Sequence, residues 1–235
     1  YDFLAHNALD FYKSDENNIT KPSYKFEIDD TEYFCDSKLF AQMNLTTKDS
    51  LSLEFKALET YQELIRFHLN DASPEALIQV NIERLYFVQQ KATFDDKTEK
   101  LIEAFQNEKT TYESHPYSGM YDAESAVLHQ RLGYKYTAEN LEKYQWEYKK
   151  ALELCEAVIA KFPNSIPGEK CKIIKAGILQ PSLNITTEAF SPINQHSKVL
   201  ISYKNVDRMY FTTRKITYDQ HQKLQELYDR NERYA

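Results

Sequence analysis

Glycine is scarce in this chain, with 4 copies in 235 residues. Loops that cradle phosphate need several glycines where backbone must approach the ligand, so P-loop and dinucleotide fingerprints are excluded and a doubly wound nucleotide fold is disfavoured. Basic residues are outnumbered, 29 Lys and Arg against 36 Asp and Glu, for a net charge of −7. The clustered cationic face that nucleic acid demands is missing, and no nucleic-acid partner is expected. No apolar run approaches the roughly 20 residues of a membrane-crossing helix. There are 3 cysteines, Cys35, Cys155 and Cys171, and none stands in a C-x-x-C pair. Neither a disulfide framework nor a zinc site is written in that spacing. Cys155 and Cys171 fall on helix core faces, where a free thiol behaves as a small hydrophobe, and that role is preferred to a disulfide.

The chemistry of catalysis is equally thin. His6, His68, His115, His129, His196 and His221 form no H-E-x-x-H and no i, i+4 pair, so no metal and no cofactor is expected. His6 and His68 sit beside core faces and read as satisfied core histidines. The adjacent carboxylates Asp29-Asp30 and Asp95-Asp96 read as helix caps complementing the dipole. No G-x-S-x-G occurs. The chain is read as non-enzymatic. Asn18, Asn44 and Asn184 each open an N-x-T triplet, which chance explains as well as glycosylation does.

What is present is apolar and aromatic. Hydrophobic residues make up 42% and aromatics 14%, with 18 Tyr and 13 Phe, enough for a packed core. Tyr pairs a large apolar body with a polar tip, which suits thin helical arrays with much skin and little core. Residues 1–13 have a helical period through Phe3, Leu4, Ala8, Phe11 and Tyr12. Residues 14–50 carry breakers (Asp15, Asn17, Asn18, Pro22, Asp29, Asp30) and predict a long connection packed across the array, with a short helix near 32–40. A strong helix follows over 51–70, on Leu51, Phe55, Leu58, Tyr61, Leu64, Ile65 and Leu69. Ser73 and Pro74 signal the start of another, apolar over a broad face to about Lys91. Further helices are predicted from Asp95-Asp96 to His115-Pro116, over 121–138, over 144–162 and over 167–179. The clearest stripe is Tyr144, Tyr148, Ala151, Leu152, Cys155, Val158, Ile159 and Phe162, and Cys171, Ile174 and Ile178 mark the last helix.

At Gln180-Pro181 the period changes to two. Leu183 and Ile185, then Val199, Ile201 and Tyr203, then Met209, Phe211 and Thr213 alternate with polar residues and predict three strands. A tight hairpin is expected over 204–207, and a short helix over 219–228 with Leu224 and Leu227 turned inward. The organisation expected is therefore two domains, helical over 1–180 and β-rich over 181–235. Tyr1 opens the sequence without Met, and Arg233-Tyr234-Ala235 closes it without a tapering tail, so it reads as a piece of a longer protein.

Short turns between helices prompt a search for repeats. Ala151, Cys155, Val158 and Pro163 keep the spacing of the second helix of a tetratricopeptide repeat, and Leu132, Gly133 and Tyr136 match its first. The small residue lets two helices approach, and the proline ends the unit. Between Gly133 and Ala151 the connection runs about six residues longer than that repeat expects, and His129 replaces its aromatic. The fold class expected is mainly α: a tetratricopeptide-like array of α-α hairpins followed by a small, partial antiparallel β-sandwich.

Several stretches carry a likeness to a known family. The opening Tyr1-Asp-Phe-Leu-Ala-His-Asn-Ala-Leu-Asp-Phe-Tyr12 resembles the start of the region after the signal segment in bacterial alpha-2-macroglobulin-like proteins. Lys161-Phe-Pro-Asn-Ser165 with Gln180-Pro-Ser-Leu183 is similar to their junction into the first macroglobulin domain. Val199-Leu-Ile-Ser-Tyr-Lys-Asn-Val-Asp207 and Met209-Tyr-Phe211 are similar to the first strands of that domain. The resemblance implies a large periplasmic or cell-envelope protein, often a lipoprotein, that acts as a protease inhibitor by trapping its attacker. Cys35-Asp-Ser-Lys, Cys155-Glu-Ala-Val and Cys171-Lys-Ile-Ile do not match the C-x-E-Q thioester motif of some members, and no bait segment is recognisable. The expected role is a non-catalytic interaction or spacer module with a protein partner; the alternative is a stand-alone tetratricopeptide-like scaffold for a peptide or envelope partner. Candidate partner-binding residues are the aromatics crowding one hairpin: Tyr117, Tyr121, Tyr134, Tyr136, Tyr144, Trp146 and Tyr148, which otherwise serve interhelix packing.

Overall fold

The computed structural model describes residues 1–14, 22–137, 139, 141–188, 195–212 and 214–232, and among them the protein is mainly helical with one small antiparallel sheet. Contacts divide it into two units, Tyr1–Leu179 and Gln180–Ala235. The first holds α1 (Asp2–Tyr12), a 3-10 turn (Thr31–Phe34), α2 (Ser37–Gln42), α3 (Leu53–His68), α4 (Glu75–Lys91) and α5 (Lys97–Thr111). A second 3-10 turn (Pro116–Ser118) leads into α6 (Gly119–Gly133), the single turn α7 (Leu141–Tyr144), α8 (Glu147–Lys161) and α9 (Ile166–Leu179).

Local chemistry sets most of the starts. The Ser52 hydroxyl accepts from the Phe55 amide (3.2 Å) to open α3, and Asp36 accepts from the amides of Lys38 and Leu39 to open α2. Asp30 caps the turn Thr31–Phe34 by accepting from the Glu32 amide (2.8 Å). Two starts differ from the expected ones. Pro74, not Ser73, precedes α4, and its carbonyl takes the Ile78 amide without any side-chain cap. Asp96 precedes α5 in the left-handed region, φ 57°, and its side chain caps nothing.

Packing follows chain order. α3, α4, α5 and α6 each touch the next, α6 touches both α8 and α9, α8 touches α9, and α1 and α2 lie on α3. One core cluster gathers Leu9, Phe40, Leu58, Tyr61, Leu64, Ile65, Ile78, Leu85 and Phe105. A second is built of smaller side chains: Ala123, Ala126, Ala151, Cys155, Val158, Cys171, Ile174 and Ile178. Close approach is the reason for that smallness. At Gly133 a Cβ would stand 2.8 Å from the Tyr148 ring, so α6 ends there against α8 with no room for a side chain.

Four helical expectations are corrected. The helix predicted over 121–138 stops at Gly133, and Ala138 lies outside the described residues. The stripe predicted from Tyr144 is interrupted: Tyr144 ends α7, and α8 begins only at Glu147. The face of α1 is rotated from the one its large apolar residues mark. Ala5 and Leu9 are buried, while Phe3 and Leu4 are 79% and 72% exposed and Phe11 is exposed too. An i, i+4 pair fits the surface of α3, and a helix buries the face that meets its neighbour rather than the face with the largest side chains. Leu51, placed in the α3 stripe by its spacing, lies before the helix and is exposed.

In the second unit β1 (Ser182–Thr187) pairs antiparallel with β2 (Val199–Lys204), and α10 (Tyr218–Glu232) follows. Leu183 stands opposite Tyr203 and Ile185 opposite Ile201, so the apolar half of the alternation shares one face of the ribbon. The third strand, expected at Met209, Phe211 and Thr213, does not form over the described residues 208–212, and Thr213 lies outside them. No hairpin turns over 204–207; Asn205 adopts φ 52° and the chain leaves β2 without a new ladder. Alternation makes a strand only where a neighbour supplies backbone partners, and β2 has β1. Leu224 and Leu227 of α10 are exposed, not turned inward.

Candidate functional site

Arg84 on α4 is the largest fully buried side chain. Its Nη1 and Nη2 donate to the carbonyls of Tyr33 and Cys35, both at 2.8 Å, and its Nε donates to Asn81 Oδ1 at 2.9 Å. The guanidinium also lies over the Phe40 ring, 4.3 Å from the centroid. Arg84 thus pins one stretch of the long connection to α4 by supplying donors to two of its carbonyls. Burial pulls the Arg84 pKa below its ordinary value, with Cys35 and Glu108 opposing. Glu108 on α5 accepts from the Ser37 amide and from the Ser37 hydroxyl, and so fixes the start of α2. Burial raises its pKa above the ordinary carboxylate value; Arg84 and the Ser37 hydrogen bonds oppose that rise without cancelling it. Asn81 completes the network by donating to the Tyr121 hydroxyl at 3.2 Å.

Two histidines act as ties. His68 stands between carboxylates, Nδ1 2.6 Å from Asp71 and Nε2 3.2 Å from Asp2 on α1. His129 on α6 is 2.6 Å from Glu147 at the first turn of α8, and Lys150 donates to the other oxygen of that carboxylate at 2.8 Å. Burial works to raise the Glu147 pKa, but the bonds from Lys150 and His129 outweigh it and hold the carboxyl below its ordinary value. His129 is thus an anchor between α6 and α8. No group of three or more His, Cys, Asp or Glu suited to a metal occurs among the described residues.

The seven candidate aromatics do not form one patch. Tyr121 is 1% exposed, its ring tilted against Phe105 at 5.9 Å, and belongs to the core rather than to the surface. Tyr117 is half-buried and lines a separate groove. Tyr134 and Tyr148 meet edge to face at 5.8 Å where α6 passes α8, and Tyr148 covers Gly133. Tyr134, Tyr136 and Trp146 are exposed, and Tyr144 is half-buried. Lys149 lies 5.8 Å over the Trp146 ring, and Lys143 5.4 Å over Tyr144. Of the seven, Tyr134 and Tyr148 meet at the α6–α8 passage, Tyr136, Tyr144 and Trp146 lie in the segment that joins those helices, and the packing role claims Tyr121 and much of Tyr148.

The groove that holds Tyr117 has a volume of about 450 Å³ and is lined by Glu75, Pro116, Phe162, the turn residues 163–165 and the first two residues of α9, Ile166 and Pro167. Its lining combines prolines and aromatics with one carboxylate, a surface that suits an apolar segment with a basic group. Its two prolines, Pro116 and Pro163, read in the sequence as helix stops, and Tyr117 as one of the candidate aromatics; that the two stops line one groove is visible only in the folded chain. No family model, curated protein or solved structure matches this chain.

Proposed function

We propose that this chain is a non-catalytic interaction and spacer module of a larger cell-envelope protein of the alpha-2-macroglobulin-like kind, with helices leading into the opening strands of a β-domain. The second unit carries that reading. Its ribbon puts Leu183, Ile185, Val199 and Tyr203 on one face, and these are 49–61% exposed. A two-stranded ribbon is marginal alone and gains independent stability from further strands or a packed helix. An amphipathic ribbon with its apolar face uncovered is the beginning of a sheet, to be finished by chain or partner beyond it. Under this reading protease trapping belongs to the whole protein, and the module sits outside the cytoplasm.

A second reading, a stand-alone tetratricopeptide-like scaffold, draws on the α6–α8–α9 cluster, where Ala151, Cys155 and Val158 are buried at the repeat's spacing and Gly133 admits the Tyr148 ring. The Tyr117 groove would then be the peptide site. Reading the encoding gene past codon 235 separates the two. A further run of β-rich sequence is expected for the module; a stop codon directly after Ala235 overturns it and leaves the scaffold.

A further inference from the structure

Cys155 on α8 and Cys171 on α9 are both fully buried in the same small-residue cluster. α8 and α9 pack directly on one another, and the two thiols interact within the cluster their facing stripes build. Cys35 belongs to the other core cluster, half-buried behind the Arg84 network, and is remote from the pair in packing. All three are free thiols. An ion pair braces the same crossing, Lys175 of α9 with Glu156 of α8 at 2.7 Å, and a second, Lys170 with Glu124, ties α9 to α6. Both cysteines thus stand on helix faces that this packing holds against each other. A disulfide needs the two Cα atoms within about 7 Å, a condition that two closely packed helix faces built of small side chains can meet.

We propose that Cys155 and Cys171 are the two halves of an oxidisable pair, closed to a disulfide that staples α8 to α9 when the chain folds in the presence of a small disulfide oxidant such as glutathione disulfide. Cys155 is the attacking sulfur. The hydrogen bond from Cys171 holds its pKa below the ordinary thiol value against the opposing effect of burial, while that same bond, and then burial, push Cys171 up. Deprotonated Cys155 attacks one sulfur of the oxidant, forming a mixed disulfide and expelling one thiolate. Cys171 then loses its proton and attacks the Cys155 sulfur, expelling the second. Two protein thiols are oxidised and one disulfide is reduced to two thiols, which take up the two protons released. Because both sulfurs are fully buried, exchange takes place while α9 is undocked, during folding or transient opening. The inference stands apart from the module reading, since it depends only on the α8–α9 contact; an oxidising compartment favours the closed state.

The test refolds the reduced full chain in a glutathione and glutathione disulfide buffer, alkylates it under denaturing conditions and maps its peptides by mass. Expected is one cross-linked pair, Cys155 with Cys171, 2 Da below the reduced mass before alkylation, with Cys35 alkylated. Adding dithiothreitol should lower the Tm of the bridged chain by about 5–10 °C, as expected for closing a loop of this length in a domain of this size. Cys35→Ser should keep the bridge and that shift, and Cys155→Ser should lose both. Alkylation of all three cysteines, a bridge that includes Cys35, or a bridged chain whose Tm ignores dithiothreitol would overturn the proposal.

Discussion

Single side chains decide how the long connection before α3 is held. Arg84 satisfies two carbonyls that have no ladder of their own, those of Tyr33 and Cys35. Arg84→Met keeps the bulk but leaves both carbonyls buried without donors, and should lower stability by about 2–4 kcal/mol; urea denaturation reads it, and a loss below about 1 kcal/mol would mean that the connection is held elsewhere. Glu108 gives a pH signature. Its folded-state pKa is raised, so the folded chain keeps a proton that the unfolded chain has released once pH exceeds the ordinary value of 4.5. Its contribution is therefore complete below that value and falls as pH rises toward the folded pKa. Gln does not titrate, so the stability of Glu108→Gln relative to the parent should be higher at pH 7 than at pH 4. Urea midpoints at the two values measure it, and a difference of the opposite sign would contradict the burial assigned to Glu108. None of this network was legible in the sequence. Arg84 lies in an apolar helix as one polar residue among several, and only the fold shows that its partners are carbonyls about 50 residues earlier.

At the scale of elements, spacing was a good guide where a helix buries one face against several neighbours. The Ala151, Cys155, Val158 stripe and the Cys171, Ile174, Ile178 stripe are buried as their period predicts. It misled at α1, which packs on α3 and leaves its aromatic side outward. Phe3→Ser and Leu4→Ser should each change stability by no more than about 0.5 kcal/mol, whereas Leu9→Ala should cost about 2–5 kcal/mol. Chemical denaturation of the three variants would show a wrong helix face if that order were reversed. Gly133→Ala tests the α6–α8 approach. A methyl there meets the Tyr148 ring at 2.8 Å, and overpacking should cost about 1–3 kcal/mol, seen as a lower Tm. The break at Gln145-Trp146 was illegible because hydrophobic period carries no information about where a turn interrupts it, and the His129–Glu147 tie that fixes the start of α8 joins residues 18 apart.

For the whole molecule, the change of period at Pro181 marked the passage from helices to strands, and β1 and β2 lie where alternation placed them. The expected third strand was beyond reach of pattern alone, since a strand is a property of a pair. The two units differ in kind. The first buries two clusters of side chains, while the second leaves Leu183, Ile185, Val199, Leu200, Tyr203 and Phe211 exposed. Stability should divide accordingly, because amides open at a cost set by the apolar surface packed around them. The claim that the ribbon is an unfinished sheet is tested most directly by hydrogen exchange on the chain alone, followed residue by residue. The account predicts that amides of residues 183–187 and 200–204 exchange within seconds, while those of α3, α4 and α6 exchange only on global unfolding. Ribbon amides as slow as those of α4 would contradict it.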